Sequence, residues 1–283
     1  MNVYEIITAR IIEQLEAGTI PWRKPWTGTS EGAYNRISKK PYSFINQMLL
    51  EHTGEYATFN QWKEAGAKIK KGAKSEIVVF WKVQKKEEDQ PDGTKKEIKI
   101  PVLRYYRVFH ISQTEGAEPI DREKFVPEPI AAADQLISAY TTREGIDYKE
   151  QAGDRAFYSP GFDQVRVPEK NQFPDTREFY STVFHELTHS TGHKSRLNRF
   201  SSDEPAAFGD ESYSKEELIA EIGSAALCNM YGIETNATFQ NSAAYIAGWL
   251  EKLRNDSKLI IAASSKAGKA VDFIIGKESE KNE

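Results

Sequence analysis

The 283-residue, 32.1 kDa chain is long enough for two domains, and its 39% hydrophobic and 28% charged residues exclude a disordered or fibrous protein. No apolar run reaches the ~20 residues that cross a bilayer, and the first residues lack the basic and apolar regions of a signal peptide. The single cysteine, Cys228, excludes an intrachain disulfide and a cysteine-based zinc cluster. We therefore expect a cytoplasmic protein with no membrane partner, in which histidines and carboxylates bind any metal.

The net charge of -4 is unevenly distributed along the chain. Residues 1–116 carry 19 basic and 14 acidic side chains, a net charge of +5, and the remaining residues carry -9. A basic half joined to an acidic half indicates two different tasks, and it assigns any polyanionic partner to the first half.

The first half predicts a mixture of helices and strands. Its expected elements are a helix over 3–17 that Gly18 ends, a helix after Thr58 that stops at Gly66, and β-rich stretches at 76–83 and 98–111. The β-rich stretches flank a turn that contains Pro91-Asp92-Gly93, so we expect a long hairpin. Prolines mark a linker over 117–130 between domains at 1–116 and 131–283.

The second half is mainly helical by pattern. Its expected elements are a helix near 128–144, a strand pair at 156–159 and 164–167, a helix capped by Asp175, and helices over about 214–231, 239–255 and 257–275. We therefore expect an α+β fold, in which an α+β domain with a long hairpin precedes a mainly helical domain with a small sheet.

The strongest chemical signal is the sequence His185-Glu186-Leu187-Thr188-His189. Two histidines four residues apart lie one turn apart on the same helix face, so both rings can reach one ion at about 2.0–2.1 Å. Glu186 points about 100° around the helix, beside the ion, where it can accept a proton from metal-bound water. This pattern predicts a Zn²⁺ site with Glu186 as its catalytic base.

A site of this type needs a third protein ligand. His193 is unsuited because Gly192 is expected to end the helix before it. Glu217 and Glu221 lie one turn apart among apolar residues, where paired carboxylates are costly unless they meet a positive charge. One of the two could bind the metal while the other contacts the free N–H of a ligand histidine. Glu216 instead fits a solvated position.

Aromatic and basic residues alternate in the first half, as a platform for single-stranded nucleic acid requires. The candidate DNA-binding residues are Trp22, Arg23, Lys24, Trp26, Trp62, Lys63, Lys70, Lys71 and Arg107. The rings could stack on unpaired bases while the cations meet phosphates. The alternative is that the tryptophans are core anchors and the lysines keep a small domain soluble.

The histidines and glutamates of the second half together resemble the glutamate-ligand branch of the zincin metallopeptidases. In that branch the first glutamate of the second helix binds zinc, and the acidic residue four positions later supports the site. The resemblance implies that Glu217 is the third ligand and Glu221 its support, with the reverse assignment also open. It further implies that a strand between Tyr158 and Val167 pairs with the substrate, and that Tyr213 stabilises the oxyanion.

The order of motifs along the whole chain resembles ArdC-type antirestriction proteins. The matching amino-terminal motifs are Leu15 to Trp26, Asn35, Lys40 to Tyr42, Thr58 to Trp62, Lys71-Gly72, Val108-Phe109 and Gln113 to Gly116. The carboxyl-terminal motifs are His185 to His193, Ser195 to Arg199 and Glu216 to Glu221, and His110 stands where the family pattern has Asn. The resemblance implies a single-stranded-DNA-binding first domain, a zincin-like second domain, and protection of incoming plasmid or phage DNA from restriction.

The leading hypothesis is a single-stranded-DNA-binding protein that hydrolyses a peptide bond in an unidentified substrate. Two other functions stay open. The first is a DNA-binding protein whose metal site is structural or inactive. The number of protein ligands separates these functions, because a catalytic zinc keeps an open fourth position. The other, a nuclease, is disfavoured, because phosphoryl transfer usually uses carboxylate-rich or paired-metal sites.

Overall fold

The chain combines helices with short β-sheets in an α+β fold, as the sequence predicts. The computed structural model describes residues 2–23, 32–89, 95–120, 129–173, 175–200, 211–233 and 243–277. Within these ranges, no helix is long and apolar enough to cross a membrane.

The amino-terminal half contains three α-helices and a set of strands within the described residues. They are α1 (Val3–Glu16), β1 (Ala33–Asn35), α2 (Phe44–Leu49), β2 (Gly54–Ala57), α3 (Phe59–Glu64), β3 (Lys68–Ile69), β4 (Glu76–Asp89), β5 (Lys95–His110) and β6 (Thr114–Glu115). Asn2 and Thr58 form capping boxes that begin α1 and α3, with Glu5 and Gln61 as their partners. Helix α2 was not predicted, because six residues are too few to show a helical period.

The predicted hairpin is the longest β-structure in the described chain. Strand β4 pairs antiparallel with β5 from Glu76↔Val108 to Asp89↔Lys95, at one edge of a sheet ordered β1-β2-β5-β4. Side chains alternate between the two faces of the hairpin. Val78 is buried on one face in a cluster with Tyr56, whereas Val79 is buried on the other against residues of α1. The base of the hairpin therefore lies between two hydrophobic clusters.

The carboxyl-terminal half is mainly helical. Its elements are α4 (Pro129–Glu144), β7 (Asp147–Gln151), β8 (Phe157–Ser159), β9 (Gln164–Pro168), α5 (Thr176–Ser190), α6 (Glu211–Met230), α7 (Ala243–Asn255) and α8 (Leu259–Ile274). The sheet order is β7-β9-β8, with β8 antiparallel and β7 parallel to β9. Strand β7 was not predicted, because its polar sequence lacks the apolar alternation of a half-buried strand.

One hydrophobic core joins the two halves of the chain. Ile7, Ile11 and Leu15 from α1 are at most 1% exposed and share a cluster with residues of the carboxyl-terminal helices. Those residues are Leu218, Ile219, Ile222, Trp249, Leu253, Leu259, Ile260, Ile261, Ala263 and Ala267. A fragment that ends at 116 would expose the α1 side of this core to water.

The start of the predicted linker is fixed to the amino-terminal half. Arg36 forms an ion pair with Glu55 and donates a 3.0 Å hydrogen bond to the Glu118 carbonyl. The Ile120 N–H donates to the other Glu55 carboxylate oxygen at 2.7 Å. Residues 121–128 lie outside the described ranges, so the division at 117–130 stays a prediction.

Candidate metal centre

Helix α5 carries the two histidines of the predicted metal site. Asp175 caps this helix by accepting a 2.8 Å hydrogen bond from the Arg177 N–H, as its position in the sequence predicts. One side of the helix is buried through Phe179, Tyr180, Val183, Phe184 and Leu187, each at most 1% exposed. This burial fixes the helix rotation, and it leaves the histidines on another side, toward α6.

Helix α6 approaches α5 closely because a glycine lies at their contact. A Cβ atom added at Gly223 would lie 2.6 Å from the Cγ2 atom of Thr188, which is too close for any larger residue without a shift. One residue further along, the Ser224 hydroxyl donates a 2.7 Å hydrogen bond to the Ser181 carbonyl. This close approach brings the acidic residues of α6 to the histidines.

His185, His189 and Glu217 form a group that could hold a metal ion. The two Nε2 atoms lie 3.1 Å apart, and the Glu217 carboxylate oxygens lie 3.5 Å from His185 Nε2 and 3.4 Å from His189 Nε2. Bonds of ~2.0–2.1 Å at tetrahedral angles place ligand atoms roughly 3.3–3.4 Å apart. The three donors therefore fit one divalent ion, and among the described residues they leave a fourth position open.

Glu216 supports the site from behind His189. Its Oε1 atom lies 3.4 Å from His189 Nδ1, the ring nitrogen that faces away from the candidate metal position. Arg199 donates to both carboxylate oxygens of Glu216, at 2.6 and 3.0 Å. The expectation that Glu216 is solvated is wrong, because its carboxylate is largely buried between these two cations. Two features of the sequence could have indicated this role. Glu216 directly precedes the proposed ligand Glu217, and Arg199 follows the helix that carries the histidines.

The charges of the cluster shift the pKa values of its members in opposite directions. Burial alone lowers the pKa of His189, but the carboxylates of Glu216 and Glu217 outweigh burial and raise it to about 10. Burial raises the pKa of Glu217, but contacts with His185 and His189 hold it well below the usual range. A cation must therefore displace a proton from His189 at neutral pH.

The remaining predicted site residues lie on the same two helices. Glu186 follows His185 and is 8% exposed, so it adjoins the group without belonging to it. Glu221 lies one turn after Glu217, and the metal-capable group of described residues contains Glu217 and not Glu221. Tyr213 lies in the first turn of α6, but its side chain is outside the described part of the structure.

The loop after α5 is held by a second arginine. Arg196 donates to the Ser190 carbonyl at 2.7 Å, to Asp163 at 3.0 Å and to the Tyr158 hydroxyl at 3.2 Å. These contacts attach the end of α5 to the β8–β9 hairpin. The resemblance implied that a strand between Tyr158 and Val167 pairs with the substrate. Within the described sheet, β8 is an edge strand and β9 is central, so within that segment β8 is the strand with a free edge.

Two family models match the two halves of this chain. The model described as the N-terminal domain of anti-restriction factor ArdC matches residues 1–109, and a zincin-like metallopeptidase model matches residues 132–266. The crystal structure of the metal-free antirestriction protein ArdC from plasmid R388 matches with a TM-score of 0.76 and 34% identity, over 98% of each chain. The chain belongs to the ArdC antirestriction family.

Other relatives extend this ArdC-family match. The Mn(II)-bound structure of the R388 protein matches with a TM-score of 0.76 and 32% identity, over 100% of both chains. The uncharacterized protein y4eC of Sinorhizobium fredii is 31% identical over 99% of this chain and 93% of its own length. The Escherichia coli DNA primase TraC is 33% identical over 98% of this chain, which spans only 27% of that protein. Together with the zincin-like domain, the Mn(II)-bound relative indicates a divalent metal.

Two of the three predicted DNA-binding tryptophans of this ArdC-family chain lie in its cores. Trp22 and Trp62 are 0% exposed. Trp22 packs edge-on against Trp249 at 5.9 Å, and the Trp62 ring N–H donates to the Phe109 carbonyl at 2.9 Å. The prediction that these two rings stack on bases is therefore wrong for the described structure. The alternative interpretation, that they are core anchors, agrees with their burial.

The predicted DNA-binding cations of this family member are placed differently. Four of them are solvent-exposed: Lys63, Lys70, Lys71 and Arg107. The Lys70 ammonium donates to the Ser112 carbonyl at 2.8 Å. Lys24 and Trp26 lie outside the described residues, and so does the side chain of Arg23. The structure therefore leaves these basic residues, and not Trp22 and Trp62, available to a polyanion.

Proposed function

We propose that this protein is a zinc-dependent metallopeptidase joined to a single-stranded-DNA-binding domain, and that it protects DNA from restriction. The observation that carries the peptidase half is the convergence of His185, His189 and Glu217 at separations of 3.1–3.5 Å. Two imidazoles and a carboxylate are ligands that suit zinc, and three of them leave a position for substrate. The zincin-like family model supports the same class of chemistry.

Each residue of the site has a separate role in the proposed peptide hydrolysis. His185, His189 and Glu217 would hold the ion, which when bound supplies a Lewis acid that polarises a carbonyl and activates water. Glu186 adjoins the ligands, accepts a proton from the attacking water and later gives it to the leaving amine. The family resemblance assigns Tyr213 to the oxyanion. Strand β8 offers its free edge to an extended peptide.

Metal analysis combined with a peptide library tests this half of the proposal. We expect the purified protein to hold about one zinc per chain and to cut a subset of peptides, with the cut products identified by mass spectrometry. Glu186→Gln should retain the metal and lose the cuts. A protein that binds zinc but cuts nothing in any peptide set would favour the alternative of a structural or inactive metal site.

Four observations support DNA binding by the first half. Residues 1–116 carry a net charge of +5, and the lysines named above are exposed. The family model of this half is that of an antirestriction factor, and another relative is named as a DNA primase. We expect the full chain to bind single strands more tightly than duplex, with an affinity that falls steeply with salt. Fluorescence anisotropy at two salt concentrations measures both properties.

A further inference from the structure

Two aromatic rings and two cations lie together on one exposed face of the β4–β5 hairpin. Phe80 and Tyr106 are 45% and 44% exposed, and Lys82 and Arg104 are exposed beside them. We name these four residues the outer hairpin face. Large rings exposed side by side on a protein surface mark an interaction site more often than a random surface position.

The strand register places the four residues on the same side of the sheet. Phe80 lies directly opposite Arg104, and Tyr106 lies opposite Val78, two residues before Phe80. Side chains directly across an antiparallel pair, and side chains two residues apart, share a face. The Phe80 and Tyr106 ring centres are accordingly 6.0 Å apart.

The outer hairpin face is supported by buried aromatic residues. The Tyr42 ring is 6% exposed and lies 6.1 Å from the Phe80 ring, and Tyr42 in turn lies 6.4 Å from the fully buried Tyr56. Val78 joins the same buried cluster. The exposed rings therefore stand on a packed base that limits their motion, so little conformational entropy is lost when a ligand stacks on them.

The charge of this face suits a polyanion. Neither Lys82 nor Arg104 forms an ion pair within the described part of the chain. Two described acids of the hairpin are engaged elsewhere. Glu97 pairs with Lys85 at 3.0 Å on the opposite face. Glu76 accepts hydrogen bonds from the Glu51 N–H at 2.7 Å and from the Tyr56 hydroxyl at 3.1 Å. A protein partner with an apolar patch would gain nothing from two unpaired cations beside the rings, whereas a nucleic acid strand offers them phosphates.

We propose that the outer hairpin face binds single-stranded DNA, with Phe80 and Tyr106 stacking on bases and Lys82 and Arg104 contacting phosphates. This inference rests on the proposed DNA binding and gives it a location. Unpaired bases can reach an exposed ring, but bases inside a duplex are already stacked on each other, so the face discriminates between the two forms. Because stacking needs no base-specific hydrogen bond, we expect little sequence preference.

The opposite face of the hairpin provides a matched control. Trp81 is 52% exposed there, but its ring meets Tyr4 of α1 edge-on at 6.4 Å, and it lies opposite the buried Leu103. Lys99 is exposed on the same face, opposite Lys85. Trp81→Ala and Lys99→Ala therefore remove a ring and a charge of the same kinds from the same two strands, but outside the proposed site.

The experiment measures anisotropy of a labelled oligothymidine of about 20 nucleotides, longer than common single-strand sites, with the full chain. We expect each of Phe80→Ala and Tyr106→Ala to weaken binding by about 5- to 150-fold, which corresponds to about 1–3 kcal/mol per stacked base. Lys82→Ala and Arg104→Ala should each lower the slope of log affinity against log salt by about one. The two control variants should bind as the wild type does.

Several outcomes would overturn the inference. If the variants Phe80→Ala and Tyr106→Ala bind the strand as tightly as the wild type does, the DNA binds elsewhere on the chain and DNA binding itself still holds. A loss confined to Trp81→Ala would assign the opposite face. A wild-type protein that ignores the strand at low salt would refute DNA binding itself. Melting curves identify unfolded variants, and Phe80→Leu then replaces Phe80→Ala, because it keeps apolar volume over Tyr42 but offers no ring to a base.

Discussion

Arg199 donates hydrogen bonds to both carboxylate oxygens of Glu216, at 2.6 and 3.0 Å. The Oε1 atom of Glu216 in turn lies 3.4 Å from His189 Nδ1. Arg199 also donates to the Thr188 carbonyl at 2.8 Å and to the Thr191 hydroxyl at 2.6 Å, so it is fixed to the end of α5. The pair therefore holds the His189 ring with its Nε2 atom toward the other ligands.

Glu216→Gln should weaken metal binding because the amide cannot stabilise the His189 ring as the carboxylate does. We expect a loss of about 10- to 100-fold in affinity, the usual effect of removing a carboxylate behind a ligand histidine. Competition with a coloured chelator measures the metal affinity of each variant. Glu251→Gln, on the exposed side of α7, is the control. Equal affinities of both variants and the wild type would show that Glu216 does not position the ligand.

His185→Ala and His189→Ala should each abolish stoichiometric metal, since two remaining protein ligands hold an ion poorly. His193→Ala is the matched control, because the His193 ring pairs with the Ser195 hydroxyl at 2.7 Å and lies outside the metal-capable group. Elemental analysis after gel filtration gives the metal content of each variant. Full metal retention in both ligand variants would refute the assignment.

Glu186→Gln should leave metal content unchanged and remove peptide cleavage. The amide has nearly the same size as the carboxylate but cannot accept a proton, so the attacking water loses its base. Removal of one proton-transfer group commonly costs about 10²–10⁴ in rate. Cleavage is followed by mass spectrometry on any peptide that the wild type cuts. If the variant cuts at the wild-type rate, Glu186 is not the base.

Metal affinity should rise with pH between about 6.5 and 8.5. Without metal, His189 has a pKa of about 10 and is protonated in this range, so binding must release its proton. The carboxylate of Glu217 stays ionised throughout, because its pKa is held well below the usual range. One linked proton corresponds to about a tenfold gain in affinity per pH unit. Calorimetry in buffers of different ionisation enthalpy counts the protons, and a count of zero contradicts the prediction.

Trp22→Ala should destabilise the whole chain, because the ring is fully buried in the core that joins the two halves. Removal of a buried tryptophan costs about 3–5 kcal/mol. Denaturant unfolding of the full chain measures this loss, and Trp22→Phe should lose less. DNA affinity measured where the variant remains folded should match the wild type. A selective loss of DNA binding at unchanged stability would restore Trp22 as a base-stacking residue.

The sequence predicts those parts of the site that depend on neighbours along the chain. His185 and His189 meet because an i,i+4 pair on any helix shares one face. The long hairpin and α5 likewise follow from local alternation, turn residues and the Asp175 cap. Each of these features is determined by backbone geometry over a few residues, so no knowledge of the fold is needed to predict it.

Tertiary structure alone decides how separate elements meet. The sequence left Glu217 and Glu221 as alternatives, and assigned Glu216 to solvent, because the rotation of α6 against α5 depends on the contact of Gly223 with Thr188. Trp22 and Phe80 are both aromatic residues with a cation within two positions in the sequence, yet Trp22 is fully buried and Phe80 is 45% exposed. A side chain's burial depends on what packs over it from distant parts of the chain, and local sequence carries no record of that packing.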